Sequence, residues 1–467
     1  MTWIDTIILI AYIIVVVVSG LGLAGSQKSA VDYFAAGAKA RWWLVSASIV
    51  ATETSVLTIV GVPALSYAQN FHFIQVVFGY VLGRYIVAIW FIPHYLGETR
   101  ISVYQWLKER LGAAVSKTAS GIFILTRVAA DGVRVYAGAV VVQEAFGIPL
   151  GPSIISILAI CLVLALIGGL RAVLWTDFIQ LLIYGAGAVI SITILLERGT
   201  TTWNMALTQG KLEWLRWDLD FSADYTLWAG LLGGAVFTLA SHGADQLIVQ
   251  RTLACGSLAG AKRAMITSGW AILIQMSLFL ILGTLLWGFF QTSPEIAAAN
   301  AYPRFIISEL PQGLRGLMVA AVFAAAVSTI SSSITSVGAS FMADFTSLMG
   351  GKSEMRHARA AVLATTVVFA AATFSFVALN DAPVDLVGLA MGIATLTYSP
   401  LLGMFLYALW VGEPKTNSVV AALICSVAAV ALFKFGGWSV GWPWLTPLGT
   451  FTFVCVARLS DLVQSRF

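Results

Sequence analysis

Between Ser328 and Ser336, seven of nine residues carry a hydroxyl, within the otherwise apolar stretch AAVFAAAVSTISSSITSVGASFMADF. Hydroxyl and carbonyl oxygens can replace the water shell of a hard cation such as Na⁺ without adding charge, and a neutral site lets the ion leave again. At helical spacing the Ala325 carbonyl and the Ser328 side chain share a face, with Thr329 beside them and Ser331 and Ser332 a turn further on. The competing reading is that small hydroxyl residues let helices pack closely and bond back to their own carbonyls.

Charged residues inside apolar runs form the second group, because a charge within a membrane is costly and marks function by default. Glu53 lies in SASIVATETSVLTIVGVPALSYA, with Gly61 and Pro63 one to two turns on, and Asp245 lies in WAGLLGGAVFTLASHGADQLIVQR, just after His242 and Gly243. Paired interruptions of this kind in two halves of a chain point to a transporter site, whereas the plainer reading is two kinked helices whose carboxylates pair with arginines. Arg127, Asp131 and Arg134 fall at i, i+4 and i+7 on one stripe. They form either a self-neutralised chain or a place where one arginine holds an anionic group. Arg84 has the same ambiguity. Asp177, in GGLRAVLWTDFIQ, is either an ion ligand or the partner of Arg171 in a salt bridge.

The rest of the chain must hold these groups in place. It has 467 residues, 59% hydrophobic and 10% charged, with a mean hydropathy of +0.90. Soluble chains carry about 25% charged residues, so this composition describes an all-α polytopic membrane protein. Thirteen candidate spans fall at 3–24, 43–67, 72–97, 116–144, 150–170, 172–196, 225–250, 261–291, 313–345, 357–380, 383–412, 416–435 and 439–460. The first is read as a retained span rather than a signal peptide, since it lacks a basic leader and a small-residue cleavage site. With the N-terminus outside and the C-terminus in the cytoplasm, seventeen Lys and Arg lie on the inner side and six on the outer, which is the favoured bias. Trp203, Trp214 and Trp217 of the outer loop suit interfacial anchors.

Several classes drop out. A net charge of +4 without like-charge runs gives no nucleic-acid surface. Cys161, Cys255, Cys425 and Cys455 have no paired spacing, and the four histidines have none that suits a metal. No nucleophile–base set, phosphate loop or dinucleotide motif stands in a usable context, so an enzyme is not expected.

The segments ATETSVLTIVGVPALSY, GGLRAVLWTDFIQ, GADQLIVQRTLA, AAAVSTISSS and TYSPLLG, in this order, resemble the sodium/solute symporter family, whose members include sodium-coupled sugar, proline and sialic acid transporters. The resemblance implies a LeuT-type five-plus-five inverted repeat with one preceding and two trailing helices. Here that gives 1–42 as the preceding helix and loop, 43–196 as the first repeat and 197–224 as the outer loop. The second repeat is then 225–412, and 413–467 holds the trailing helices. It further implies a sodium site made from the Ala51 and Thr54 carbonyls with Ala325, Ser328 and Thr329, and a further sodium ion on Asp177, Ser328, Ser331 and Ser332. Asp245 and Thr58 stand where sugar-transporting members carry asparagine and glutamine, which points away from a sugar. Glu53 stands where proline-transporting members carry an aspartate, which makes it a candidate for coupling.

The expected function is import of a small polar organic solute with Na⁺ across the cytoplasmic membrane by alternating access, with no obligatory protein partner. The solute would bind between spans 2, 3, 4, 7 and 11. Glu53, Thr58, Arg127, Arg134, His242, Asp245 and Tyr398 are the candidate contacts. A proton-coupled carrier on the same scaffold and a solute-binding sensor without transport are the rival readings.

Overall fold

The structure is a computed structural model, and it describes residues 2–23, 29–96, 100–199, 203–291, 296–345, 352–379, 386–410 and 416–464. Among the described residues there is no strand. Lipid offers no hydrogen bonds, so a spanning backbone that is not a closed barrel must satisfy itself along a helix.

The helices run in order α1 (Trp3–Leu23), α2 (Ala30–Ala35), α3 (Trp42–Glu53), α4 (Val56–Ala68), α5 (Ile74–Ile86), α6 (Ile92–Tyr95), α7 (Val103–Phe146), α8 (Leu150–Glu197) and α9 (Trp203–Thr208). There follow α10 (Gly234–Thr238), α11 (Gln246–Leu253), α12 (Leu258–Phe289), α13 (Ala298–Glu309), α14 (Leu314–Phe345), α15 (Lys352–Leu379), α16 (Leu386–Trp410), α17 (Thr416–Phe435) and α18 (Trp442–Gln464). Wider π-helical turns join α5 to α6 and flank α10 on both sides. Among the described residues, seven helices are long and apolar enough to cross a membrane, or eight with the bent pair α3 and α4 counted as one.

Glycine sets two of the bends. The expected spans 150–170 and 172–196 are the two arms of α8, separated by a sharp non-helical kink at Gly169 (φ 54°, ψ −161°). A Cβ there would crowd the Tyr33 carbonyl. In α7 the same role falls to Gly112 (φ 85°), just before the expected span 116–144.

The break in the second expected span is not where its glycine and proline stand. Gly61 and Pro63 lie inside α4, two turns past its start, and the helix runs on through the proline at the cost of one backbone hydrogen bond. The chain leaves the helix earlier, at Thr54 (φ −84°, ψ 84°) and Ser55 (φ −87°, ψ 173°). The halves on either side differ in direction by 62°. The second break is at Asp245 (φ −83°, ψ 122°). Its carboxylate accepts a hydrogen bond from the Leu247 backbone N–H at 2.8 Å and so caps the following helix α11.

The hydroxyl-rich helix α14 is buried on every side from Met318 to Ser340, as a helix in a bundle core should be. It packs against α1, α3, α7, α8 and α15. Its first turn is held by α1, where Asp5 Oδ1 accepts from the Gly313 and Gly316 N–H groups at 2.8 and 3.0 Å. A carboxylate in this position satisfies orphan donors and complements the positive end of the helix.

The segment before the second break touches α5 backbone to backbone. A Cβ at Gly79 would collide with the Gly230 carbonyl, and one at Gly230 with the Gln75 backbone. Small residues allow this close approach in membranes. Gly79→Val is therefore expected to lower the yield of monodisperse protein several-fold, read by size-exclusion of the detergent extract. An unchanged profile would show that these segments do not touch.

Candidate functional site

At the first break the backbone hydrogen bonds change register. The Ser55 N–H donates to the Glu53 carbonyl (3.1 Å) and the Thr58 N–H to the Ser55 carbonyl (2.9 Å). In a continuous helix these two N–H groups would bond Ala51 and Thr54. The break thus frees the two carbonyls that the family resemblance nominates. α14 packs on both halves of this broken helix, and its Thr329 hydroxyl bonds the Ala325 carbonyl at 3.0 Å and lies 3.4 Å from the Thr52 carbonyl. Ala51, Thr54, Ala325, Ser328 and Thr329 are all buried. The Ser328 hydroxyl donates to Asp177 Oδ1, so Ser328 stands between this set and an acidic one.

The second break treats its carbonyls differently. Gly243 O accepts from the Tyr95 hydroxyl, and Ala244 O from the Tyr104 hydroxyl at 3.2 Å. The Gln246 side chain bonds the Val103 N–H at 2.8 Å and the Ile101 carbonyl at 2.7 Å. Protein donors already serve this break, which leaves the first as the one with carbonyls to offer a cation.

In the acidic set, Asp177 accepts hydrogen bonds from Ser48 and Ser328. Its basic partner is not Arg171, which is exposed, but Arg251, whose Nη2 lies 3.5 Å from Asp177 Oδ2. Arg251 stands just past the end of the expected span 225–250, yet on the short helix α11 it is fully buried. Its Nε donates to Ser48 Oγ at 2.9 Å, Nη1 to the Leu247 carbonyl and Nη2 to Ser332 Oγ. The Ser331 hydroxyl bonds back to the Ser328 carbonyl at 3.1 Å.

The remaining charges form two clusters, one at each break. Arg84 of α5 reaches both carboxylate oxygens of Glu53 through its Nη2, and His242 Nε2 meets the same carboxylate. His242 Nδ1 lies 2.8 Å from Ser241 Oγ, and Thr58 Oγ1 donates to the Glu53 carbonyl at 3.1 Å. Arg127 of α7 pairs with Asp245 and also bonds the Tyr398 hydroxyl. Tyr398 in turn donates to Asp245 at 2.8 Å. The stripe Arg127, Asp131, Arg134 is therefore not one ion chain: Arg134 takes Asp131, and Arg127 crosses to another helix. Side chains from α3, α5, α7, α16 and the break before α11 converge here, and both carboxylates have the arginine partners that the plainer sequence reading foresaw.

Among the described residues no three His, Cys, Asp or Glu cluster as a transition-metal site would need. The oxygen-lined break suits an alkali ion instead. A model of the sodium:solute symporter family matches residues 33–425. The chain belongs to the sodium:solute symporter family. It is similar to the sodium/sialic acid symporter SiaT of Proteus mirabilis, with 27% identity over 93% of this chain and 90% of that one. It is 25% identical to the sodium/iodide cotransporter of Homo sapiens over 87% of this chain and 66% of that one. A solved structure of a Na⁺-coupled sialic acid symporter in a substrate-bound outward-open state superposes with a TM-score of 0.87 at 24% identity, covering 99% of this chain and 98% of that one. This symporter is thus a multi-pass membrane transporter, not an enzyme, and Na⁺ is the ion that drives its solute inward.

Proposed function

We propose that this symporter holds its driving Na⁺ between the Ala51 and Thr54 carbonyls of the first break and Ala325, Ser328 and Thr329 of α14. Beside it, a small polar organic solute bearing a carboxylate would be carried at the Arg127–Asp245–Tyr398 cluster. The observation that carries the ion site is the register change at Thr54–Ser55, which frees two carbonyls directly opposite a hydroxyl-lined helix. Na⁺ there ties the broken helix to α14 and favours one state of the pair, and it can bias that equilibrium only by binding the two states unequally. The scaffold would be thirteen spans with spans 2–6 and 7–11 as inverted repeats, which the two breaks five spans apart support. The Lys and Arg bias supports a cytoplasmic-membrane protein with the N-terminus outside.

The solute class rests on Arg127. Arginine matches a carboxylate bidentately, and the sialic acid named for the Proteus mirabilis relative and for the solved symporter structure bears one. In the structure Asp245 takes that guanidinium, so an incoming carboxylate must replace Asp245, and the charge of the bound Na⁺ compensates for the extra anion. One Na⁺ carried with one carboxylate moves no net charge, so the Na⁺ concentration gradient supplies the drive and the membrane potential adds nothing to it.

Purified protein in proteoliposomes should accumulate radiolabelled sialic acid or another small carboxylate under an inward Na⁺ gradient, and not under K⁺. Accumulation of only uncharged solutes would remove the role given to Arg127, and equal uptake in K⁺ would remove the ion site.

A further inference from the structure

Asp177 with Ser328, Ser331 and Ser332 is the set that the resemblance offers to a further sodium ion, and in this chain that set already holds a cation. The Arg251 guanidinium reaches across four elements: it springs from α11, bonds Ser48 on α3, faces Asp177 on α8 and bonds Ser332 on α14. Arg251 and Asp177 are both fully buried. Two further hydroxyls, Ser48 and Ser328, donate to the carboxylate.

A Na⁺ placed on Asp177 would therefore lie beside a buried, permanently charged guanidinium, where low dielectric makes like charges repel strongly. It would find one ligand, Ser332, engaged by Arg251 and another, Ser331, turned to its own backbone. We propose that Arg251 is the resident counter-ion of Asp177 and excludes a second Na⁺, so that this symporter binds one Na⁺ per chain and loss of the Arg251 charge opens a Na⁺ site at Asp177. Without the guanidinium the buried carboxylate is unpaired and surrounded by hydroxyl oxygens, which is an environment that recruits a small cation. The same fork fastens the half-helix after the second break to the ion-binding helix. The proposal rests on the ion site described above only for the first ion.

The test is ²²Na⁺ equilibrium binding to purified full-length protein, with Na⁺ alone as ligand. Wild type should bind one ion per chain, Arg251→Gln two, and the double variant Arg251→Gln, Asp177→Asn one again. Asp177→Asn alone should keep the wild-type count, which keeps the idea testable should Arg251→Gln not fold. Two ions in wild type falling to one in Asp177→Asn, or a folded Arg251→Gln that still binds one, would overturn it. Failure of the first site reads out separately, as one ion still bound by wild type carrying Ser328→Ala and Thr329→Ala.

Discussion

Protein carrying both Ser328→Ala and Thr329→Ala should insert and purify normally and yet lose Na⁺-stimulated uptake. Each hydroxyl lost from a charged partner removes roughly 1.5–3 kcal/mol, so the pair together should raise the Na⁺ needed for half-maximal uptake by about 100-fold or more. The fold has little reason to fail. Thr329 gives up a bond to the Ala325 carbonyl of its own helix and a long one to Thr52. Asp177 loses one of its hydroxyl donors and keeps Ser48 and Arg251. Initial uptake rates across a Na⁺ series, on protein matched by surface amount, read the effect. An unshifted Na⁺ series would reassign the hydroxyls to helix packing.

The second large effect comes as a pair of opposite signs. Arg127→Gln should weaken uptake of a carboxylate solute by about 10- to 100-fold, the cost of losing a charge-assisted hydrogen-bond pair. Asp245→Asn should instead strengthen it, by up to about tenfold, because it removes the group that competes for the guanidinium. Asparagine still accepts from the Leu247 N–H and so keeps the cap on α11. Tyr398 keeps its bond from Arg127 in that variant. The KM for the solute separates the two variants, and a matched loss in both would make the cluster a structural ion pair.

Much of this arrangement was legible in one dimension, and the part that was not has a common cause. The hydroxyl face of α14 follows from spacing alone, because Ala325, Ser328 and Thr329 sit within one helical turn. Glu53 and Asp245 flagged the two breaks by their cost in an apolar run. Gly61 and Pro63 do not mark the breakpoint, since both stand inside α4, and the chain opens where Ser55 N–H turns back to Glu53.

Pairings between distant segments were the illegible part. Nothing near Asp177 in sequence announces Arg251, 74 residues away, and nothing near Arg127 announces Asp245, 118 residues away. The local rule offered Arg171 and Asp131 because helical spacing ranks only neighbours. What decides these pairs is which helix faces meet, and burial then forces each charge to find the nearest opposite one. One clue did exist: Gln250 and Arg251 stand among Ile248, Val249 and Leu253, and in the structure all five are buried. A polar pair within such a run deserved the weight given to Glu53.

The central claim is that a dehydrated Na⁺ bridges the Thr54–Ser55 break and α14, and the most direct measurement is a high-resolution experimental structure of this symporter in saturating Na⁺. The account predicts ion density enclosed by the Ala51, Thr54 and Ala325 carbonyls and the Ser328 and Thr329 hydroxyls, lost when Na⁺ is replaced by choline. A continuous helix through Thr54 and Ser55, or density that ignores those five oxygens, would contradict it.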